Sequence, residues 1–437
     1  MVAVITVVGI SQIGCESENQ KNQFQMPTVS AVAAPAPAPS PVDSRISADE
    51  KSALSPESVL TVVGQTPIDK FGQSVSGGVD FDADGTDDVL VGVPGFMVPG
   101  VGAYAGRVEV RSGRTGALIS ARDGKTLGGF LGENISTSWN ARHLKKKEFF
   151  ITSRGQGTGS NQAHWSRGIG FVASNDLFVG SALELAEEYE FQGKIVPSAS
   201  IKHSGGVYRQ ATPLSGPAPL GIGHWYASYA QLDGLESDGT PEVFASFMNT
   251  EGTTAYHVLD RRGYVETSKT AGIPAGEFGA SSVALGDWNQ DGVPDFAIGQ
   301  PYFSSQRGRV LVVSGRSTIG NMVVLTTLNG EAGQGKFGHS VGAADVNGDG
   351  RLDLVVGAPD QYVNNEQGAG RVYVYAAGTA ERLSVMSGQR LQGLGCSVAN
   401  AGKVAGGTVD RIVVSSVSGC YGLPMGIAGR IEVIEFK

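Results

Sequence analysis

The stretch FGHSVGAADVNGDGRLDLVVGAP, Phe337 to Pro359, decides how this chain folds. It opens on a short apolar run, passes through an aspartate- and glycine-rich loop, and resumes as the unbroken apolar run LDLVVGAP. Short β-branched runs separated by Gly/Asp clusters read as strands joined by tight turns. The pattern occurs twice more, as FGQSVSGGVDFDADGTDDVLVGVPG from Phe71 and FGASSVALGDWNQDGVPDFAIGQP from Phe278. Each copy is followed by a glycine-led strand: AGRVEVRSG from Ala105, GRVLVVSG from Gly308 and GRVYVYAAG from Gly370. Phe278 and Phe337 lie 59 residues apart, so the chain is a repeat array and has to be read as one.

Weaker copies fill the gaps. FLGENISTSW starts at Phe130, 59 residues after Phe71; GHWYASYAQLDGLESDGTPEVF starts at Gly223, 55 before Phe278; LGCSVANAGKV starts at Leu394, 57 after Phe337. The 93 residues from Phe130 to Gly223 suit two short units, with SGGVYRQATPLSG from Ser204 closing a degenerate third, which gives seven units in all. Each unit reads as four strands, the last a return strand such as ERLSVMSG. One such sheet cannot bury both faces alone, so the units must stack around an axis. The expected fold is an all-β, seven-bladed propeller of four-stranded antiparallel blades over residues 58–437. Before the first Phe-Gly, SVLTVVGQTPIDKFG matches ERLSVMSGQRLQGLG, whereas GRIEVIEFK has no return strand after it. Residues near Leu60 to Val63 are therefore predicted to pair with residues near Ile431 to Glu435, which would close the ring and remove a sheet edge.

The chemistry sits in the loops DFDADGTDD (Asp80 to Asp88), DWNQDGVPD (Asp287 to Asp295) and DVNGDGRLD (Asp345 to Asp353). All fit D-x-[DN]-x-D-G-x-x-D. Oxygen side chains at positions 1, 3 and 5 converge when such a loop wraps, glycine at 6 permits the sharp turn, the carbonyl at 7 points inward, and Asp at 9 completes the shell. The candidate ligands are Asp80, Asp82, Asp84, Thr86 and Asp88; Asp287, Asn289, Asp291, Val293 and Asp295; and Asp345, Asn347, Asp349, Arg351 and Asp353, with Thr86, Val293 and Arg351 contributing carbonyls. Hard oxygen ligands in this number suit calcium, about three ions in all. Without a cation, ten carboxylates would repel one another in a chain of formal charge −9. Position 12 is Val91, Ile298 or Val356 where an EF-hand has Glu, and the flanks read as strands, not helices. A fourth loop keeps Asp238, Gly239 and Glu242 but has Gly234 first, so it is not expected to bind.

Phe-Gly, then an aspartate loop, then Gly-Ala-Pro resembles the FG-GAP repeat of integrin α-subunit propellers, over roughly residues 58 to 437. The resemblance implies a seven-bladed propeller with calcium loops on one face and a ligand surface on the other. Units two, three, four and seven lack intact calcium loops, and nothing else of an integrin follows.

Ahead of the repeats, MVAVITVVGISQIG is apolar and ends at Cys15, too short for a bilayer, which takes about 20 residues. Gly14-Cys15 resembles a bacterial lipoprotein cleavage site, although Gln12 replaces the usual Leu and no Lys or Arg precedes the run. Residues 1–15 read as a lipidated signal segment with Cys15 as lipid attachment point, or as an ordinary cleaved signal. Residues 16–57, with AVAAPAPAPSPVDS, read as a disordered Pro/Ala tether. The chain is expected to be exported, either as a cell-surface or outer-membrane lipoprotein or secreted, with any membrane contact through Cys15. Cys396 and Cys420 then remain, either as a disulfide or as two buried thiols.

Several motifs are excluded. Gly338-His339-Ser340-Val341-Gly342 matches a nucleophile elbow, but no histidine follows the serine. Asp123-Gly124-Lys125-Thr126 lacks the first glycine of a phosphate loop, and His143, His164, His203, His224, His257 and His339 show no metal-ligand spacing. Lys145 to Lys147 is the only basic run, so nucleic acid is not an expected partner. The reading is a monomeric, non-enzymatic recognition or adhesion module for a protein or glycan ligand. The alternatives are a carbohydrate-binding or polysaccharide-active propeller and a structural surface subunit.

Overall fold

The computed structural model describes residues 53–135 and 281–437, apart from 126, 134, 317–322, 419 and 421–425, together with the backbone of the strands named below between 135 and 274. The elements are almost all β. Strand β1 (Pro56–Val63) is followed by a first sheet of β2 (Val75–Val79), β3 (Asp88–Val93), β4 (Arg107–Arg111) and β5 (Leu118–Asp123). The second sheet contains β6 (Ile135–Asn140), β7 (Lys146–Gly155) and β8 (Arg167–Ser174); after the ribbon β9 (Phe178–Val179) and β10 (Ala182–Leu183), β11 (Glu188–Glu190) completes it. The third holds β12 (Trp225–Asp233), β13 (Pro241–Met248), β14 (Thr253–Leu259) and β15 (Val265–Pro274), and the fourth β16 (Ser281–Gly286), β17 (Asp295–Gln300), β18 (Arg309–Val313) and β19 (Val324–Asn329). The fifth is β20 (Ser340–Ala344), β21 (Asp353–Ala358), β22 (Arg371–Tyr375) and β23 (Arg382–Ser387). The sixth combines β24 (Leu394–Gly402), β25 (Arg411–Ser416) and β26 (Arg430–Phe436) with β1. Among the described residues, no helix is long and apolar enough to cross a membrane.

Six four-stranded antiparallel sheets are thus present among the described residues, where the sequence suggested seven units. The interval from Phe130 to Gly223 supplies one sheet and the short ribbon; the expected closing strand from Ser204 lies outside the described residues. The first strands of the sheets neighbour one another in the order β2, β6, β12, β16, β20, β24, and β24 also neighbours β2, an arrangement of the propeller kind. Strand β1 pairs with β26 in the register Leu60 with Val433, Thr61 with Glu432 and Val62 with Ile431. The last sheet therefore takes a strand from each end of the repeat region. Upstream of it, Leu54 N–H donates to Leu383 O at 3.0 Å and Ser55 N–H to Lys437 O at 2.9 Å.

Burial follows position in the sheet. The second strands DVLVGV, DFAIGQ and DLVVGA are buried along their whole length, because they have a ladder on each side and a neighbouring sheet on each face. Such strands read as continuous apolar runs rather than alternating ones. The core is a set of seams between consecutive sheets: Leu90, Val108, Leu131 and Ile135 between the first and second, Val310, Phe337, Leu354 and Tyr373 between the fourth and fifth, and Val355, Leu394, Ile412 and Ile434 between the fifth and sixth. Phe71, Val89, Val413 and Ile431 fill the seam where the sixth meets the first.

The Phe-Gly and Gly-Ala-Pro motifs are the devices that join sheets. Ser74, Ser281 and Ser340 each donate a side-chain hydrogen bond to the carbonyl of a glycine one repeat ahead, Gly132 at 2.8 Å, Gly338 at 2.9 Å and Gly395 at 2.9 Å. Those carbonyls also lie against the bare Cα of Gly92, Gly299 and Gly357 respectively, the second-strand glycines, where any Cβ would overlap them. Gly338 and Gly395 hold φ of +82° and +89°, a region L side chains rarely enter. Ser340, the candidate elbow serine, therefore spends its hydroxyl inside a seam.

Candidate functional site

The aspartate loops connect the first and second strands of their sheets, and the second strand begins on the ninth loop residue. In the first loop Asp80 accepts N–H bonds from Asp84 at 3.1 Å and Gly85 at 2.9 Å, Asp82 accepts from Asp84 at 3.1 Å, and Asp84 accepts from Thr86 at 2.8 Å. The second loop repeats this: Asp287 accepts from Asp291 and Gly292 at 2.9 and 2.8 Å, Asn289 from Asp291 at 3.0 Å, and Asp291 from Val293 at 2.9 Å. In the third, Asp345 accepts from Gly348 and Gly350 at 2.8 and 3.0 Å, Asn347 from Asp349 at 2.9 Å, and Asp349 from Arg351 at 2.8 Å. The wrapped geometry thus recurs in three places, except that the first residue of the third loop bonds the N–H of position 4 where the other two bond that of position 5. Asp80, Asp82 and Asp88 each bring a carboxylate oxygen within 4.8 Å of the others.

The ninth residue anchors each loop. Asp88 accepts N–H from Phe81 at 2.7 Å and from Gly113 at 2.9 Å; Asp295 accepts from Asn289 at 3.2 Å and Gly315 at 3.1 Å; Asp353 accepts from Val346 at 3.1 Å and Ala377 at 3.0 Å. The carboxylate so ties its own loop to the turn between the third and fourth strands. All three are fully buried, and burial pushes the Asp88 and Asp353 carboxyls up to about 6 and the Asp295 carboxyl upward as well. The second residue holds the loop from the other side, since Phe81, Trp288 and Val346 pack into the seams.

Two features were not legible in the motif. Arg114 and Arg316, from the turn after the third strand, each place Nε on the fifth loop carboxylate, at 3.0 Å from Asp84 and 2.8 Å from Asp291. The signal lay in the Gly-Arg pairs Gly113-Arg114 and Gly315-Arg316. The fourth loop residue is left-handed, with φ of 60° at Ala83, 60° at Gln290 and 77° at Gly348. Only the third loop uses glycine there, and an L residue in this region costs about 1–2 kcal/mol. Gln290→Gly is expected to raise the melting temperature by about 1 °C, the size of about 1 kcal/mol spread over a chain this long, as read by calorimetry; an unchanged or lower value would show that Gln290 makes compensating contacts.

The sixth sheet carries the same loop with its chemistry reversed. Val79 pairs with Asp88 and Gly402 with Arg411, and eight residues intervene in both cases, so Lys403 stands where Asp80 does and Arg411 where Asp88 does. Lys403 Nζ donates to Thr408 O at 2.7 Å and lies 3.7 Å from Asp410, so an ammonium belonging to the chain occupies this loop. Arg411 donates to Gly113 O at 3.0 Å and Asp87 O at 2.9 Å, across the junction between the last sheet and the first. The loops also bond to one another: Lys403 N–H to Asp87 at 2.8 Å, Asp345 N–H to Asp410 at 3.0 Å, and Arg351 Nη2 to Trp288 O at 2.6 Å.

The donor sets fit a hard divalent cation in three loops, in which every side chain at positions 1, 3, 5 and 9 offers oxygen and the glycines leave no bulk at the turn. The loop from Gly234 and the Cys15 segment lie outside the described residues. The Sγ atoms of Cys396 and Cys420 are joined, with their Cα atoms 5.9 Å apart.

The FG-GAP repeat family model matches residues 71–110, 279–313 and 337–375, the stretches that hold the three loops with the strands flanking them. Integrin alpha-5 of Xenopus laevis is 33% identical over 127 residues, which is 28% of this chain and 12% of that protein. Integrin alpha-7 of Homo sapiens is 35% identical over 135 residues, 28% of this chain and 11% of that one; integrin alpha-V of Gallus gallus is 40% identical over 78 residues, 18% and 7%. The likeness thus covers about a tenth of those relatives. The chain therefore carries three stretches that match the FG-GAP repeat, each built as a strand, an aspartate loop and a second strand of a four-stranded sheet, and in them it resembles integrin α-subunits.

Proposed function

We propose that this chain is an exported, calcium-stabilised propeller that recognises a protein or glycan ligand at the cell surface and does not catalyse a reaction. The observation that carries the calcium reading is the contrast among equivalent loops: three present oxygens in a repeated geometry, and the loop of the sixth sheet, which has lost them, supplies Lys403 and Arg411 in their place. Calcium bound at Asp80–Asp88, Asp287–Asp295 and Asp345–Asp353 would fix loops that already bond to one another. Residues 1–15 serve as the export segment, with Cys15 as a lipid attachment point, and the Pro/Ala stretch that follows as a tether.

Recognition is assigned to the opposite end of the sheets, where the second strand connects to the third. There the connection from Val93 to Gly106 exposes Met97 and Tyr104, close to exposed Ile68 and Leu127. Exposed apolar groups gathered on one face mark binding surfaces more often than scattered ones do. A pull-down from surface extracts is expected to capture a partner with the full chain in calcium, and to lose it with Met97→Ser/Tyr104→Ser, a variant that leaves the loops untouched. Equal capture by the variant would remove this face from consideration.

The buried carboxyls give calcium binding a pH dependence. Asp88 and Asp353 titrate near 3.8 when unfolded and near 6 in the calcium-free fold. Between those values the folded chain holds more protons, so these groups make the calcium-free fold less stable as pH rises through the window. Calcium needs both as carboxylates and gains affinity over the same range. The rise in melting temperature on adding calcium is expected to be small at pH 5 and full at pH 7.5; equal rises at both would show that neither carboxyl is a ligand.

A further inference from the structure

Away from the aspartate loops, a second cluster of ligating groups lies where the fifth and sixth sheets meet. His339 precedes β20, Cys396 lies in β24, and Cys420 follows β25. One ligand nitrogen of His339 and the sulfurs of Cys396 and Cys420 all fall within 4.8 Å of one another. The three residues are buried, at 6%, 4% and 7% exposure, and Val417 packs with the two cysteines. His339 and Cys396 hold the same place in successive units, directly after Gly338 and Gly395. Gln73 holds it in the first unit, and its Nε2 donates to Cys420 O at 3.1 Å. The repeat therefore stacks equivalent positions of neighbouring sheets against one another. This brings together a histidine and two cysteines that are 57 and 24 residues apart in the sequence, with no local motif.

We propose that, when the bond between Cys396 and Cys420 is open, these two thiolates and His339 form a three-coordinate protein site for one Zn²⁺ ion. His339 is buried, and a buried imidazole favours its uncharged form, which is the form that ligates a metal. Thiolate and imidazole ligands select zinc and copper(I) over calcium. Two thiolates with Zn²⁺ sum to zero charge, whereas Cu⁺ would leave a buried negative charge, so the apolar surroundings favour zinc. Opening the site consumes a dithiol: it passes two electrons and two protons to the sulfur pair, becomes a disulfide itself, and leaves two cysteine thiols. Zn²⁺ then displaces both thiol protons. The same three residues so form a cross-link in an oxidising setting and a zinc site in a reducing one.

The test uses the full chain in millimolar calcium, which occupies the aspartate loops, and native mass spectrometry with Zn²⁺ as probe. After dithiol treatment and removal of the reductant, one zinc is expected to bind, at a mass showing the loss of two protons, and to protect both cysteines from iodoacetamide. The untreated chain should take up none at the same zinc concentration. Cys396→Ser should abolish the uptake. His339→Gln, which installs the side chain the first unit carries at this place, should weaken it at least tenfold, because one of three protein ligands is lost. Zinc should also raise the melting temperature of the reduced chain. Equal zinc uptake by the reduced chain and the Cys396→Ser variant, unchanged affinity in His339→Gln, or a reduced chain that unfolds and is not rescued by zinc would each overturn the assignment. Failure of the calcium reading would instead appear in the untreated chain, as no calcium-dependent change in melting.

Discussion

Chelating calcium is expected to lower the melting temperature of this protein by about 10 °C. If each site binds with a dissociation constant of about 10⁻⁴ M, a value within the range of extracellular modules, then about 10 mM calcium stands 100-fold above it and each site contributes about 2.7 kcal/mol. Three sites give about 8 kcal/mol, and for about 380 folded residues each kcal/mol shifts melting by a little over 1 °C. Single loops should each account for about a third of the effect. The structure decides which substitution reads this cleanly. Asp345 accepts N–H bonds from Gly348 and Gly350 and Asp349 accepts one from Arg351, so alanine at either place would loosen the turn with or without calcium. Both Asp345 oxygens accept N–H bonds, which asparagine could not keep, so the cleaner variant is Asp349→Asn, which retains the acceptor for the Arg351 N–H while removing a charge. Its melting temperature should fall by about 3 °C in calcium and stay near that of the parent in chelator. The same loss in both conditions would mean that Asp349 only forms the turn.

Gly357→Ala is expected to be strongly destabilising, one of several second-strand positions where a single added methyl group meets the backbone of the next sheet. Gly357 is one of the second-strand glycines whose Cα faces the next sheet, and a Cβ there would overlap Gly395 O and Ser340 Oγ. The serine hydroxyl could rotate away, but the carbonyl belongs to a left-handed glycine fixed at the head of β24. The backbone of a whole sheet would have to move, which places the cost at the upper end of overpacking, about 3 kcal/mol or more. Ser340→Ala alone should cost about 1 kcal/mol, the worth of one hydrogen bond. The double variant should be only slightly more stable than Gly357→Ala, since the clash with the carbonyl remains. Chemical denaturation of the four proteins checks this; full recovery in the double variant would show that the serine, and not the sheet backbone, sets the spacing.

The sequence by itself determined the unit. Four strands, an aspartate loop after the first and a glycine-led third strand follow from local periodicity and turn chemistry, which neighbouring residues impose within one repeat. The pairing of Leu60–Val62 with Ile431–Val433 was also legible, because the same strand pattern was missing at one end of the array and present at the other. What only the tertiary structure decided lies between units. That the Phe-Gly and second-strand glycines interlock, that Arg114 and Arg316 clamp the fifth loop carboxylate, that Lys403 and Arg411 replace two aspartates, and that His339 meets Cys396 and Cys420 all depend on the stacking of one sheet on the next. Repeats write the contents of a sheet locally. The angle and register at which consecutive sheets meet are set by contacts such as Ser340 with Gly395 and Gly357 with Gly395, 55 and 38 positions apart, and the residue types recur in the chain without saying which will meet.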